Sequence, residues 1–188
     1  MKEKIQREAL RLFDEKGYES VSMEDIAEAA GCSVGNIYHY FKGKQTLTAA
    51  LTHHVDNKYQ VLYDKYFGGN CRMSAEEKYA DFASEALKID SGEELLYQCF
   101  VHSIRHPEQK ILQFDSDEMY PAIIRKIASE LAAENSLREG VDEASIVHQF
   151  VIINRGILLQ WRIEEGAFDI AAEGRRIAEN LLDGIIER

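Results

Sequence analysis

Between residues 143 and 165, Ile146, Val147, Phe150, Val151, Ile152, Ile153, Ile157, Leu158, Leu159, Trp161 and Ile163 fall on every side of the helix that their spacing implies. A helix that is apolar all round must be covered from more than one direction. The chain therefore has to wrap this segment with other helices, pair it with a second copy of itself, or do both. The next segment, 169–188, carries a single stripe of Ile170, Gly174, Ile177, Leu181 and Ile185, with Gly174 and Gly184 allowing close approach. Pairing the two segments with their symmetry mates gives a four-helix interface. Ile146, Phe150, Ile153, Ile157, Ile177, Leu181 and Ile185 are its expected contacts.

The remaining sequence is also helical in pattern. Only two prolines interrupt 188 residues, which disfavours an all-β fold and permits long helices. Ile5, Ala9, Leu12 and Phe13 form one stripe from Glu3 to Lys16, ended by Gly17. Ser22-Met23-Glu24-Asp25 has the form of a capping box opening a short helix, with Met23, Ile26, Ala27 and Ala30 inward. Gly31 breaks that helix and Ser33 caps another, Val34 to Phe41, with Ile37, Tyr38 and Phe41 as candidates for its buried face. A fourth helix is expected from Gln45 to Phe67. Further helices are expected over 75–88 and 92–106, opened by capping boxes at Ser74 and Ser91. A short piece over 108–114 and an acidic turn at 115–118 follow, and Pro121 sits in the first turn of a helix reaching Glu134. The expected architecture is all-α, about nine helices in total. A three-helix N-terminal domain spans 1–47, and a helical domain holding the dimer-forming helices spans 48–188.

Charge divides along the same line. Residues 1–55 carry 7 basic and 8 acidic side chains, and residues 56–188 carry 15 and 25. Residues 29–55 hold no Asp or Glu, where average usage would place about five. A polyanionic partner at this stretch accounts for the gap. The total of −11 excludes a surface that wraps nucleic acid broadly, but leaves room for one local patch. Three scattered cysteines and no secretory leader fit reduced thiols in a cytoplasmic protein, and no apolar run is long enough for a membrane span.

A short helix, a turn at a glycine and a second short helix behind a longer one form a helix-turn-helix, here over about 22–41. Its second helix must stay open on one side to enter a major groove, and Val34, Gly35, Asn36, His39 and Tyr40 suit that side. Gly35 permits close backbone approach, and Asn36 offers a paired donor and acceptor to a base edge. Lys44 lies at the wrong end of the fourth helix for the macrodipole, which makes sense if a phosphate sits there. Packing of Tyr38, Tyr40 and Phe41 in an ordinary helical hairpin is the competing reading.

The run Ala9-Leu10-Arg11-Leu12-Phe13-Asp14-Glu15-Lys16-Gly17-Tyr18, followed by Val21-Ser22-Met23-Glu24-Asp25-Ile26-Ala27-Glu28-Ala29-Ala30-Gly31-Cys32-Ser33-Val34-Gly35-Asn36-Ile37-Tyr38-His39-Tyr40-Phe41-Lys42-Gly43-Lys44, resembles the DNA-binding module of TetR-family transcriptional repressors. The resemblance implies a homodimer that binds a palindromic operator and is released by a small-molecule effector. By position it gives phosphates to Ser22 and Lys44, with Tyr38 and Tyr40 beside them. It turns Ser33, Val34, Gly35, Asn36 and His39 to the groove. Val34 stands where many relatives carry Lys, Arg or Gln, which points to thinner direct readout, with a thymine methyl contact as a substitute.

Twelve of the 18 aromatic residues lie between Tyr59 and Trp161. Phe100, Tyr120, Phe150, Asn154 and Trp161 are the candidate effector contacts, having apolar walls with polar tips. Cys99, His102 and His106 share one helical face and would suit zinc, giving a metal-responsive regulator as an alternative. No fourth ligand is evident, and a core cysteine with two histidines near a helix C-terminus accounts for the pattern. No metal and no cofactor are expected. No phosphate loop, nucleophile elbow or HExxH motif is present, so an enzyme is not expected. A helical enzyme or scaffold without a DNA role is the remaining alternative.

Overall fold

The computed structural model describes residues 1–44, 46–47, 55–105, 107 and 118–188, except for the side chains at 94, 95, 98, 99 and 102. Among the described residues nine helices form and no strand: α1 (Lys2–Lys16), α2 (Met23–Ala30), α3 (Val34–Tyr40), α4 (Asp56–Phe67), α5 (Ala75–Ser91), α6 (Glu94–Arg105), α7 (Met119–Glu134), α8 (Glu143–Ile163) and α9 (Ile170–Ile185). An isolated antiparallel bridge joins Leu137 to Ile186. The beginning of the expected fourth helix at 45 and 48–54, the piece over 108–114 and the turn over 115–117 lie outside the described residues.

The chain groups into two compact units, Met1–His54 with Glu93–Phe114, and Val55–Gly92 with Asp115–Arg188. In the first, α1 packs on α2 and α6, and α2 packs on α3. Its core joins the α1 stripe of Ile5, Ala9, Leu12 and Phe13 to Val21, Ile26, Ile37, Phe41 and Leu47. Gly17 ends α1 at φ 82° and Gly31 ends α2 in the left-handed region at φ 64°, ψ 42°. A side chain is strained at either position, which is why the periodicity stops there.

In the second unit α5 packs against α4, α7, α8 and α9. Gly174 sets the α5–α9 spacing: a Cβ there would lie 2.3 Å from Leu87 Cδ1 and 3.2 Å from the Ala83 carbonyl oxygen. Gly184, by contrast, faces open space within the chain. Fully buried Tyr59, Tyr66, Tyr79, Phe82 and Phe150 fill the interior, with the Phe82 and Phe150 rings stacked at 5.2 Å. Charged groups close the rim. Asp81 binds Lys65, accepts from the Tyr66 hydroxyl at 2.8 Å, and pairs with Arg175 of α9 at 2.6 Å. Lys78 pairs with Glu130 of α7 at 2.6 Å.

The Ser74 capping box forms, with Glu77 as its acidic partner. The expected box at Ser91 does not. Helix α5 runs on to Ser91, whose hydroxyl donates to the Lys88 carbonyl. Burial of Ala86 and Leu87 keeps α5 helical toward this point, and tertiary packing overrides the local cap signal. A box that spacing did not reveal, Asp142 with Ser145, opens α8.

Candidate nucleic-acid interface

Helix α2 begins at Ser22, whose hydroxyl accepts from the Asp25 N–H at 3.0 Å and donates to the Asp25 carboxylate at 2.6 Å. The Ser22 N–H donates to the same carboxylate at 2.7 Å. Hydrogen bonds from the Ser22 hydroxyl and then its backbone N–H hold Asp25 below the usual carboxylate range. The hydroxyl proton of Ser22, expected at a phosphate, is committed to Asp25 here, leaving lone-pair capacity but no free donor.

Ser33 caps α3, accepting from the Asn36 N–H at 3.2 Å. Of the seven residues of α3 only Ile37 is buried, and Phe41, the extended residue that ends it, is 1% exposed. These two, four apart, anchor one side of the helix. On the other side Gly35, Tyr38, His39 and Tyr40 are exposed and Asn36 is partly so. Tyr38 at 48% and Tyr40 at 42% are large apolar rings left in water. This corrects the expectation of Tyr38 on the buried face: the position after Ile37 turns about 100° away from the core. Val34, expected in the groove, is half-buried and packs against the core of its unit.

Lys44 has a partner inside the unit. Its ammonium donates to the Tyr18 carbonyl oxygen at 2.7 Å and lies 4.4 Å from the centre of the Tyr18 ring. This tether orients the positive charge of Lys44. Lys2, whose ammonium lies 5.9 Å from the Phe41 ring centre, and Lys4, 3.5 Å from where a Gly31 Cβ would be, add positive charge beside α3 and the turn before it. Their place at the start of α1, where the helix dipole disfavours cations, is the sequence signal that could have revealed them.

Residues 5–51 match the family described as bacterial regulatory proteins, tetR family. Over those residues the chain carries a TetR-family DNA-binding domain. Over its whole length it is similar to the HTH-type transcriptional repressor KstR2 of Mycolicibacterium smegmatis, 24% identical over 196 residues, covering 95% of this chain and 87% of the relative. Among solved structures, FadR from Bacillus subtilis, crystallised with stearoyl-CoA, superposes with a TM-score of 0.67 at 19% identity, covering 97% of this chain and 98% of FadR. NalD of Pseudomonas aeruginosa, described as a secondary repressor of the MexAB-OprM efflux pump, gives 0.69 at 18% identity, covering 99% and 97%. At these identities the two structures establish the fold.

Within the second unit the expected effector residues Tyr120, Phe150, Asn154 and Trp161 fall into two clusters. Tyr120 lies against Tyr59 and Phe82, with ring centres 5.3 and 5.4 Å apart, and Asn154 donates to the Phe150 carbonyl at 2.9 Å. Trp161 belongs to a different cluster. Its indole N–H donates to the Phe168 carbonyl at 3.1 Å and its ring underlies Gly166, closing the α8–α9 turn. Phe100 is half-buried in α6, in the other compact unit. Tyr79 and Phe82 lie directly against Phe150, and Tyr59 lies against Phe82; nothing in the spacing of the twelve aromatics singles these out.

The expected dimer contacts also divide. Ile146, Phe150 and Ile185 are at most 1% exposed, so they are core of the single subunit, a correction to their assignment as an intersubunit face, while Ile157 is largely buried but reaches a surface groove. Ile153, Ile177 and Leu181 are half-buried. The apolar surface α8 leaves in water is Ile152, Leu159 and Ile163. Beside it a groove of about 470 Å³ is lined by Gly156, Ile157, Gln160, Glu164, Phe168, Glu173 and Ile177.

His106 lies outside the described residues, as do the side chains of Cys99 and His102, so the zinc set has no described geometry. Among the described residues no helix is long and apolar enough to cross a membrane.

Proposed function

We propose that this chain is a TetR-family, ligand-responsive transcriptional repressor of the cytoplasm, binding a palindromic operator as a homodimer with α3 of each subunit in the major groove. The observation that carries this reading is the one-sided anchoring of α3. Ile37 and Phe41 fix the helix, while Gly35, Asn36, Tyr38, His39 and Tyr40 stay accessible on a stretch without a single carboxylate. Residues 1–47 take the DNA, and 48–188 take the effector and the second subunit. Ser33 and Asn36 meet the groove, Lys44 with Tyr38 and Tyr40 meets phosphates, and Ser22 assists as an acceptor-side cap. Ile152, Ile153, Leu159, Ile163, Ile177 and Leu181 bury one another across the dimer.

Two recognition helices read both half-sites when they stand about 34 Å apart, one duplex turn. An effector that binds a different spacing better shifts the population away from the operator-competent form. A hundredfold loss of operator affinity needs about 2.7 kcal/mol of coupling. The excess negative charge of residues 56–188 keeps that part away from phosphate and turns the N-terminal face toward it. The relatives' names, a repressor and a regulator crystallised with an acyl-CoA, support repression and an effector.

The test is a gel-shift with duplex from upstream of the chain's own reading frame. Lys44→Ala is expected to weaken specific and random duplex alike, and Asn36→Ala to lower affinity for the specific site by about 1–3 kcal/mol at one position per half-site. Equal losses on both duplexes from both variants would refute this assignment of roles.

A further inference from the structure

Helix α1 carries its cations in two different settings. Farther along the helix, the Arg11 guanidinium pairs with Glu8 at 2.9 Å and Glu15 at 2.8 Å, so that charge is satisfied within the helix. At its start, Lys2 and Lys4 are exposed, and neither makes an ion pair among the described residues. Glu8, the i+4 neighbour that would suit Lys4, is held by Arg11. The first turn of a helix is also the end whose dipole repels cations. Two lysines there weaken the helix, and their charge calls for a partner outside it.

Their placement is fixed by the core. Ile5 is 0% exposed and shares a cluster with Ile37 of α3 and Phe41 at its end. At about 100° per residue, Lys2 and Lys4 fall about 60° and 100° to opposite sides of Ile5, while Glu3 falls about 160° away, facing off the core. The two ammoniums consequently reach opposite ends of α3. Lys2 Nζ lies 5.9 Å from the centre of the Phe41 ring, where α3 ends. Lys4 Nζ lies 3.5 Å from where a Gly31 Cβ would be, in the turn before the Ser33 cap. Positive charge therefore stands at both ends of the helix, and residues 29–55 hold no Asp or Glu to cancel it.

We propose that Lys2 and Lys4 bind the duplex phosphates that pass the two ends of α3, so that α1 seats this helix in its groove without reading bases. This rests on the reading of α3 as the helix that enters DNA. Phosphate contacts fix register and orientation and carry no sequence information of their own. Such support suits a helix that turns Val34 inward and offers the groove neither Lys nor Arg.

Fluorescence anisotropy of the full chain tests this over a range of salt with two labelled duplexes, one enriched from a random pool and one of scrambled sequence. Lys2→Gln combined with Lys4→Gln is expected to lower the magnitude of the slope of log affinity against log salt by about 2 per subunit. Both duplexes are expected to weaken by the same factor to within about threefold. Lys2→Arg combined with Lys4→Arg is expected to keep the wild-type slope. Arg11→Gln removes a charge from the same helix where it is already paired, and is expected to move the slope by less than about 0.5 per subunit. The glutamine pair is expected to melt within about 2 °C of wild type.

The proposal is overturned if the glutamine pair keeps the wild-type slope, if Arg11→Gln lowers it as much per charge, or if the arginine pair loses as much as the glutamine pair. It also falls if only the enriched duplex is weakened, since that is base readout. A lower melting temperature with an unchanged slope would assign Lys4 to the negative end of α2 and Lys2 to the Phe41 ring as purely structural partners. If wild type prefers the enriched duplex and the glutamine pair matches it throughout, this proposal alone fails. If wild type prefers no duplex, the reading of α3 fails and this proposal fails with it.

Discussion

The two compact units treat aromatic side chains in opposite ways. Helix α3 leaves Tyr38 and Tyr40 standing in water on a seven-residue helix held by Ile37 and Phe41, whereas the second unit seals Tyr59, Tyr66, Tyr79, Phe82 and Phe150 away. An exposed ring contributes little to folding and is available to a partner. A buried one contributes its full surface to stability, and its hydroxyl becomes a liability unless something pairs with it. The same residue type therefore marks a surface in one unit and an interior in the other. Charge follows the same division, with a carboxylate-free stretch beside α3 and clamps such as Asp81 with Lys65 and Arg175 around α5.

The largest expected effect separates the two uses directly. Phe82→Ala, at the centre of the aromatic interior, is expected to lower stability by about 3–5 kcal/mol in urea titration. Tyr38→Ala and Tyr40→Ala are expected to stay within about 0.5 kcal/mol of wild type while weakening operator binding. Comparable destabilisation from all three would erase the distinction. Next in size, Gly174→Val places side-chain atoms against Leu87 and the Ala83 carbonyl, with an expected cost of about 1–3 kcal/mol from overpacking. Gly184→Ala, in open space, is the matched control and is expected to change the urea midpoint little.

Lys44→Met sharpens the comparison from the DNA side. It removes a charge and the tether to Tyr18 together. The slope of log affinity against log salt is expected to fall in magnitude by about 1 per subunit. An unchanged slope would mean that the ammonium serves only to hold Tyr18.

The smallest effect concerns acid. Burial pushes the Asp81 carboxyl up, but hydrogen bonds from the Lys65 ammonium and the Tyr66 hydroxyl, with the charges of Lys65 and Arg175, outweigh it and hold the group below its ordinary value. A carboxylate lowered by folding stabilises fully above its unfolded value and loses that contribution as pH falls through the folded one. Melting curves of wild type and Asp81→Asn are therefore expected to differ by a few degrees at neutral pH and to converge below about pH 4. A gap that persists in acid would show that the clamp does not depend on the charge of Asp81.

Much of the first unit was legible because its signals are local. Gly17 and Gly31 take positive φ where the stripes end, and Ser22 and Ser33 cap the helices they precede. The orientation of Tyr38 was not, since seven residues make fewer than two turns and an apolar ring can be assigned to either side. In α8 the limit is different. An all-round apolar helix says that it needs cover but not from where, and the structure gives Ile146 and Phe150 to the subunit while leaving Ile152, Leu159 and Ile163 outside. Trp161 was a reasonable pocket candidate by chemistry, yet the left-handed turn at Gly166 brings the Phe168 carbonyl back onto its indole N–H, a tertiary closure that no spacing rule reports. The charge of Lys44 is visible in the sequence, but its tether to Tyr18, 26 positions away, exists only once the loop after α1 is folded.

Selection of bound sequences from a random duplex pool by the full-length chain tests the central claim most directly. Two copies each presenting α3 are predicted to enrich a palindrome whose half-site centres lie about 10 base pairs apart or a multiple of that. Enrichment of a single unpaired half-site, or of no sequence at all, would contradict the account.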